Sequence, residues 1–276
     1  MTLGADVGVF VISIAAGLIG ALAGVGGGIL IVPLLTLGLG LPLREAVAVS
    51  LVSVIVTSSA AAGVYLERHV ANLRLGMVLE LFSASGALVG GLIAFLLPAN
   101  VLEGLFAALL IWVALSMVRR KEPAKGPPAV ATEALDEAAD AVTFTDTLGG
   151  PGYRVHSLPL GVGGSLFAGL VSALLGVGGG IIKVPTMHLM MGVPLKVATA
   201  TSNMMIGITA VSSAVIYLLR GQIDPFVAGP TAVGVFAGAM IGTRIAPRVD
   251  VGVLRWLFVV VLAYTAFQMG QKALGL

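Results

Sequence analysis

One segment of the chain occurs twice. Gly24-Val-Gly-Gly-Gly-Ile-Leu-Ile-Val-Pro33 returns as Gly176-Val-Gly-Gly-Gly-Ile-Ile-Lys-Val-Pro185, displaced by 152 residues (176 − 24). Held at that offset without gaps, Gly40, Pro42, Ala46, Ser50, Thr57, Tyr65, Arg68, Gly86 and Gly90 meet Gly192, Pro194, Ala198, Ser202, Thr209, Tyr217, Arg220, Gly238 and Gly242. Agreement on that scale marks a duplication, so the chain must fold as two like halves, residues 1–118 and 158–276. Between them, residues 119–157 are charged and rich in Pro, Ala and Gly, the composition of a solvated linker.

What each half is made of follows from its apolar runs. Residues 47–66, 75–97, 105–118, 225–246 and 251–267 are nearly free of charge, and a helix of about 20 such residues crosses a bilayer. Hydrophobic residues make up 58% of the chain and charged residues only 10%, which leaves too little polar surface to face water. The expected fold class is therefore an all-α polytopic membrane protein.

Composition also excludes several kinds of chemistry. There is no cysteine, hence no disulfide, thiolate metal site or cysteine nucleophile. His69, His156 and His188 are scattered rather than set at ligand spacing, so neither a metal nor a cofactor is expected. No Ser/His or paired Asp arrangement suggests an intramembrane enzyme, and no phosphate-cradling loop suggests a nucleotide-driven pump. The net charge of +2 gives no case for nucleic acid. Residues 1–23 lack a basic start and carry Asp6, so they read as a retained segment rather than a signal peptide.

The direction of the repeat can be argued from charge. Residues 5–39 are too long for one ordinary helix and are broken at the glycines and at Pro33. If this segment enters and returns, as a re-entrant pair or two short crossings, and three full spans follow, each half crosses an odd net number of times and the halves are inverted. One side then collects Arg68, Arg74, Arg119, Arg120, Lys121, Lys125, Lys196, Arg244, Arg248 and Arg255, against Arg44, Arg220 and Lys272 on the other. The positive-inside rule favours that arrangement, with a cytoplasmic linker and both termini outside. Inverted repeats with broken helices are a recurrent plan of secondary transporters, whose sites lie where the breaks meet.

The breaks carry the candidate chemistry. Three glycines in a row, Gly26, Gly27 and Gly28, and again Gly178, Gly179 and Gly180, allow successive backbone N–H groups to converge on one oxyanion. The competing reading is close helix packing, which glycine also permits. Lys183 replaces Ile31 of the first half inside an apolar segment. Placing a cation there costs roughly 2.5 to 3.5 kcal/mol on insertion scales, and such residues are commonly functional; it is expected to be a counter-charge for an anion, against the alternative that it snorkels to an interface. Residues 198–203 put Thr199, Thr201, Ser202 and Asn203 where the first half has Val47, Val49, Ser50 and Leu51, so hydroxyls and an amide could complete the shell, unless they bond their own helix. His188 and Glu80 are the candidates for proton coupling, with an intrahelical or interfacial ion pair as the rival reading of Glu80.

These motifs together resemble the sulfite exporter TauE/SafE family of membrane permeases. The residues that carry the resemblance are the two Gly-Val-Gly-Gly-Gly-Ile...Val-Pro elements, the Gly-x-Pro-x-x-x-Ala that follows each, and Ala198-x-x-Thr-Ser202. It covers both halves and excludes the linker. The resemblance implies transport of sulfite, organosulfonates or related small sulfur-containing anions across the cytoplasmic membrane, often as export. In this chain the family's glycine-rich elements are residues 24–33 and 176–185. The first half departs in having Val49-Ser50 where Thr201-Ser202 stands in the second, which predicts unequal half-sites.

The resulting expectation is a secondary transporter working by alternating access around a central site made of Gly26 to Gly28, Gly178 to Gly180, Lys183, Ser50, Thr199, Thr201, Ser202 and Asn203. Its partners would be a small anionic substrate, the lipid bilayer, a coupling proton or sodium ion and, in a homodimer, a second copy of the chain. The rival readings are an uncoupled anion channel or facilitator and a permease for small organic carboxylates.

Overall fold

The computed structural model describes residues 3–22, 28–67, 70–119, 148–150, 153–245 and 251–275. Every element among them longer than an isolated bridge is helical: α1 (Leu3–Leu22), α2 (Gly28–Pro33), α3 (Leu43–Glu67), α4 (Leu73–Leu96) and α5 (Ala99–Arg119) in the first half. The second half has α6 (Leu158–Leu175), α7 (Gly180–Pro185), α8 (Leu195–Leu219), α9 (Pro225–Ile245) and α10 (Val251–Leu274). Six of these, α3, α4, α5, α6, α8 and α9, are long and apolar enough to cross a membrane.

The duplication reappears as geometry. α2 with its continuation Leu34–Gly38 and α7 with Thr186–Met190 have the same bounds once 152 is added, as do α3 and α8. Both short helices end on a proline, Pro33 and Pro185. Proline lacks an N–H and crowds the carbonyl four residues back, so the helix beyond it widens into a π-helical turn. Each turn is then stopped by a glycine in the left-handed region, Gly40 (φ 68°) or Gly192 (φ 73°). Two residues later Pro42 or Pro194 precedes the next helix. The Gly-x-Pro of the repeat is thus a stop followed by a start.

α1 takes 20 residues, whereas α2 and its π-helical turn run only from residue 28 to 38, about 16 Å at 1.5 Å per residue. The opening segment is therefore a 20-residue helix whose apolar stretch runs over Gly8–Gly20, followed by a half-length helix interrupted at Pro33.

Helix pairing is reciprocal between the halves. α1 packs on α9, and its counterpart α6 packs on α4, the counterpart of α9; α3 meets α8, and α5 meets α10. Small residues permit this closeness. A Cβ on Gly86 or Gly169 would collide with the backbone carbonyl of Leu166 or Ser83 respectively, so α4 and α6 touch backbone to backbone.

Contact order along the helices gives their directions. On α4 and α8, Asn72 meets Thr201, Glu80 meets Thr209 and Gly91 meets Ile216, so these two run in the same sense. α3 opposes α4, because Arg44 at its start donates to the carbonyls of Ala94 (3.1 Å) and Leu97 (2.6 Å) at the far end of α4. At the start of α5, Glu103 lies 3.5 Å from Lys272 near the end of α10.

The end of the interhalf stretch does not match a solvated linker. Leu148 and Val155 are buried with Leu75, Leu79, Met187, Met191, Val193, Ala198 and Met205, because this segment supplies apolar side chains that cover the beginnings of α4 and α8.

Candidate substrate site

The glycine breaks of the two halves meet between α3 and α8. After α6 the chain passes through Gly176, Gly178 and Gly179, with φ of 70°, 81° and 72°. Residues with a Cβ rarely adopt that conformation, so only glycine lets α6 end and α7 begin within so few residues. Ser50 on α3 closes the junction, donating its hydroxyl to the Gly176 carbonyl (2.7 Å) with the Gly28 carbonyl at 3.2 Å. Gly26 and Gly27 lie outside the described residues.

Ser202, at the position on α8 equivalent to Ser50 (50 + 152), behaves differently. It is buried, it lies beside Gly180, and its hydroxyl has no hydrogen-bond partner. The same holds for Ser172 on α6, beside Gly179. Two buried hydroxyls without partners thus flank Gly179–Gly180. Buried polar groups ordinarily find partners, and an unsatisfied one costs about 1–3 kcal/mol.

Lys183 does not snorkel. It is 1% exposed, and its Nζ lies 3.1 Å from Glu80 Oε2 while donating to Thr209 Oγ1 at 2.6 Å. Thr209 in turn donates to Glu80 Oε1 at 2.7 Å, with its own helix carbonyl at Met205 (3.1 Å) and Ser83 Oγ (3.4 Å) in reach. Glu80 is therefore in a buried pair between helices, neither intrahelical nor interfacial as the rival sequence reading had it. Lys183, expected as a counter-charge for an anion, has its charge already matched by protein in this conformation.

The remaining predicted residues divide. Thr201 Oγ1 accepts the Asn72 N–H at 2.9 Å. Thr199 donates to the Leu195 carbonyl (2.8 Å) and Asn203 Nδ2 to the Thr199 carbonyl (3.0 Å), so both are spent on their own helix. His188 is exposed, with Nδ1 2.9 Å from the Val193 carbonyl, and is not a member of the Lys183 cluster.

Sequence reasoning missed Thr209, Ser83 and Ser172. Thr209 could have been found, since it stands seven residues after Ser202 and so on the same face of a helix. Ser83, three residues after Glu80 on α4, carries the same kind of signal, and Ser172 does not.

Asn72 organises the end of the site. Its Oδ1 accepts the Leu75 N–H (3.0 Å), capping α4, and its Nδ2 donates to the Leu148 carbonyl and the Tyr153 hydroxyl, both at 2.8 Å. Burial raises the Tyr153 phenol above the usual tyrosine value, partly offset by the Asn72 hydrogen bond. A separate cavity of about 600 Å³, among Leu105, Trp112, Phe167, Ile181, Pro185 and Met190, is lined by apolar side chains and by Thr186, whose hydroxyl donates to the Ile182 carbonyl at 2.8 Å.

The sulfite exporter TauE/SafE family model matches residues 9–269. The chain is similar to the probable membrane transporter protein YunE of Bacillus subtilis (strain 168), with 26% identity over 94% of this chain and 95% of that one. It is also similar to YdhB of the same organism, described likewise, with 25% identity over 87% and 89%. The probable membrane transporter protein MamO of Paramagnetospirillum magneticum (strain ATCC 700264 / AMB-1) matches at 28% over 62% of this chain and 29% of its own length. No solved structure matches. With the match running through both glycine breaks and into each of the ten described α-helices, the chain belongs to the sulfite exporter TauE/SafE family of membrane transporters.

Proposed function

We propose that the protein carries small sulfur oxyanions, sulfite or organosulfonates, across the cytoplasmic membrane, with export as the physiological direction, by alternating access around the Gly178–Gly180 break. The observation that carries this reading is the pair of buried, unpartnered hydroxyls of Ser202 and Ser172 beside Gly179 and Gly180. Hydroxyls with a free proton, set against a glycine turn at a helix start, are donors waiting for an acceptor of several oxygens. A sulfonate or sulfite presents three.

The reading takes the two halves as inverted repeats, with the linker cytoplasmic and both termini outside. It is supported by the helix directions: α8 runs with α4, and α3, its counterpart, runs against α4. It is also supported by Arg44 and Arg220, whose guanidiniums lie 5.6 Å and 5.2 Å from the centre of the same Phe95 ring. A parallel repeat would put those two residues on opposite sides of the membrane. Rocking of one half against the other would expose the central break to each side in turn.

The test is binding of sulfite, methanesulfonate and sulfoacetate to purified protein, followed by thermal shift in wild type and in Ser202→Ala. Selective stabilisation by a sulfur oxyanion, lost in the variant, is expected. Equal stabilisation of both proteins, or stabilisation by small carboxylates in place of sulfonates, would move the site or the substrate class.

A further inference from the structure

The Lys183–Glu80 pair poses a charge problem for any anion carrier. Lys183 comes from α7 and Glu80 from α4, so the pair joins the two halves of the molecule. It is dry, with 0% and 6% of the two side chains exposed, and its sum of charge is zero. Groups facing it from the packed helices are Thr209 of α8 and Ser83 of α4. α6 has no charged residue, the charged Lys196 of α8 stands at that helix's exposed start, and exposed Arg74 precedes Glu80 by six residues.

We propose that Glu80 is the proton carrier of the transport cycle and Thr209 the relay that switches it, so that each substrate anion crosses with one proton. This rests on the oxyanion reading of the neighbouring glycine break. An anion added to the intact pair leaves one uncompensated negative charge in a low-dielectric site, and a proton added alone leaves one positive charge; both are costly to carry through a membrane. Only two occupancies are neutral, the empty pair and the site holding both proton and anion. A monovalent anion therefore moves electroneutrally with its proton, and export is driven by anion accumulated inside.

The contacts supply the switch. With Glu80 ionised, Thr209 accepts from Lys183 and donates to Glu80. A proton from water on the open side forms an O–H bond on the Glu80 carboxylate, and the ion pair with Lys183 is broken. The Thr209 hydroxyl then turns its own proton to the Met205 carbonyl, already 3.1 Å away, and accepts from the carboxyl. Lys183, still an ammonium, is released to face the anion. It begins the second turn of α7, and its side chain is long enough to return over one 5.4 Å turn to Gly179–Gly180. Thr209 is a positioning residue, since it touches the two charges and not the substrate.

The experiment uses full-length protein in liposomes holding a pH dye, with potassium and valinomycin setting the potential. Methanesulfonate is the main probe, because its charge does not change over the accessible pH range and any acidification must come from coupled protons; sulfite and sulfoacetate run in parallel. In wild type the lumen acidifies by one proton per methanesulfonate, flux ignores the imposed potential, and anion affinity falls about tenfold per pH unit above the Glu80 titration. Glu80→Gln, which imitates the protonated carboxyl, is expected to bind anion independently of pH and to carry current. Thr209→Val should lower the proton-to-anion ratio, and Thr209→Ser should restore it. Anion flux without acidification, flux that follows the potential in wild type, or a sodium requirement at fixed pH would overturn the coupling while leaving the oxyanion site standing. If none of the three anions moves, the oxyanion reading fails, and infrared difference titration of purified protein still decides the proton. A protonated-carboxyl band absent from Glu80→Gln supports the carrier, and no such band at any physiological pH rejects it.

Discussion

Ser50 and Ser202 hold equivalent places on α3 and α8, yet Ser50 donates to the Gly176 carbonyl at 2.7 Å and Ser202 has no partner at all. The duplicated sequence therefore closes one half-site and leaves the other open. Ser50 uses its proton on the Gly176 carbonyl, with the Gly28 carbonyl beside it, and in the proposed function it is the unbonded Ser202 that meets the ligand.

Ser202→Ala separates fold from function. Because the hydroxyl is buried and unbonded, its removal should leave stability unchanged or raise it by up to about 1 kcal/mol. Loss of a hydrogen bond to a charged ligand should weaken oxyanion binding roughly 10- to 100-fold. Melting temperature and ligand titration on the same preparations read both. A destabilised variant would mean that the hydroxyl has a structural role.

Neutralising one member of the ion pair should be far worse than neutralising both. Lys183→Met or Glu80→Gln strands a buried charge, at about 3–5 kcal/mol, whereas the double variant Lys183→Met/Glu80→Gln should recover most of that loss. A double-mutant cycle on thermal stability measures the coupling, and additive losses would show that the two groups do not interact.

Gly169→Leu tests the backbone contact of α4 with α6. Even a Cβ at this position meets the Ser83 carbonyl, so the larger side chain must force the helices apart, at a cost of at least about 1–3 kcal/mol. Gly163→Leu, on the same helix with open space around it, is the control and should melt close to wild type.

Asn72→Ala removes the α4 cap and the two bonds that hold residues 148 and 153. A cap alone is worth about 1 kcal/mol. Hydrogen exchange of residues 148–156 should speed up markedly, while exchange in α8 beyond its first turns should not change.

The absence of cysteine makes topology directly measurable. Lys125→Cys in the linker should react with a membrane-impermeant maleimide only from the cytoplasm, and Gln222→Cys, just past α8, only from outside. Labelling of both from one side would exclude the inverted arrangement.

What sequence alone determined here is what depends on neighbours along the chain. Runs of about 20 apolar residues specify spanning helices. Pro33 and Pro185 widen the short helices, Gly40 and Gly192 stop them, and duplication carries these bounds to the second half, so that α2, α3, α7 and α8 repeat at an offset of 152. The tertiary structure alone decided which polar side chains meet. Glu80 and Lys183 are 103 residues apart and Thr209 is 129 from Glu80, and no local pattern brings them together. In a membrane protein these helices are apolar nearly all round, so periodicity says little about which face turns inward. That rotation is set by small residues at remote contacts, such as Gly86 against Leu166 and Gly169 against Ser83. These contacts fix which face of α4, the one with Glu80 and Ser83, turns inward, while Ser202 on α8 lies beside Gly180 with nothing to bond.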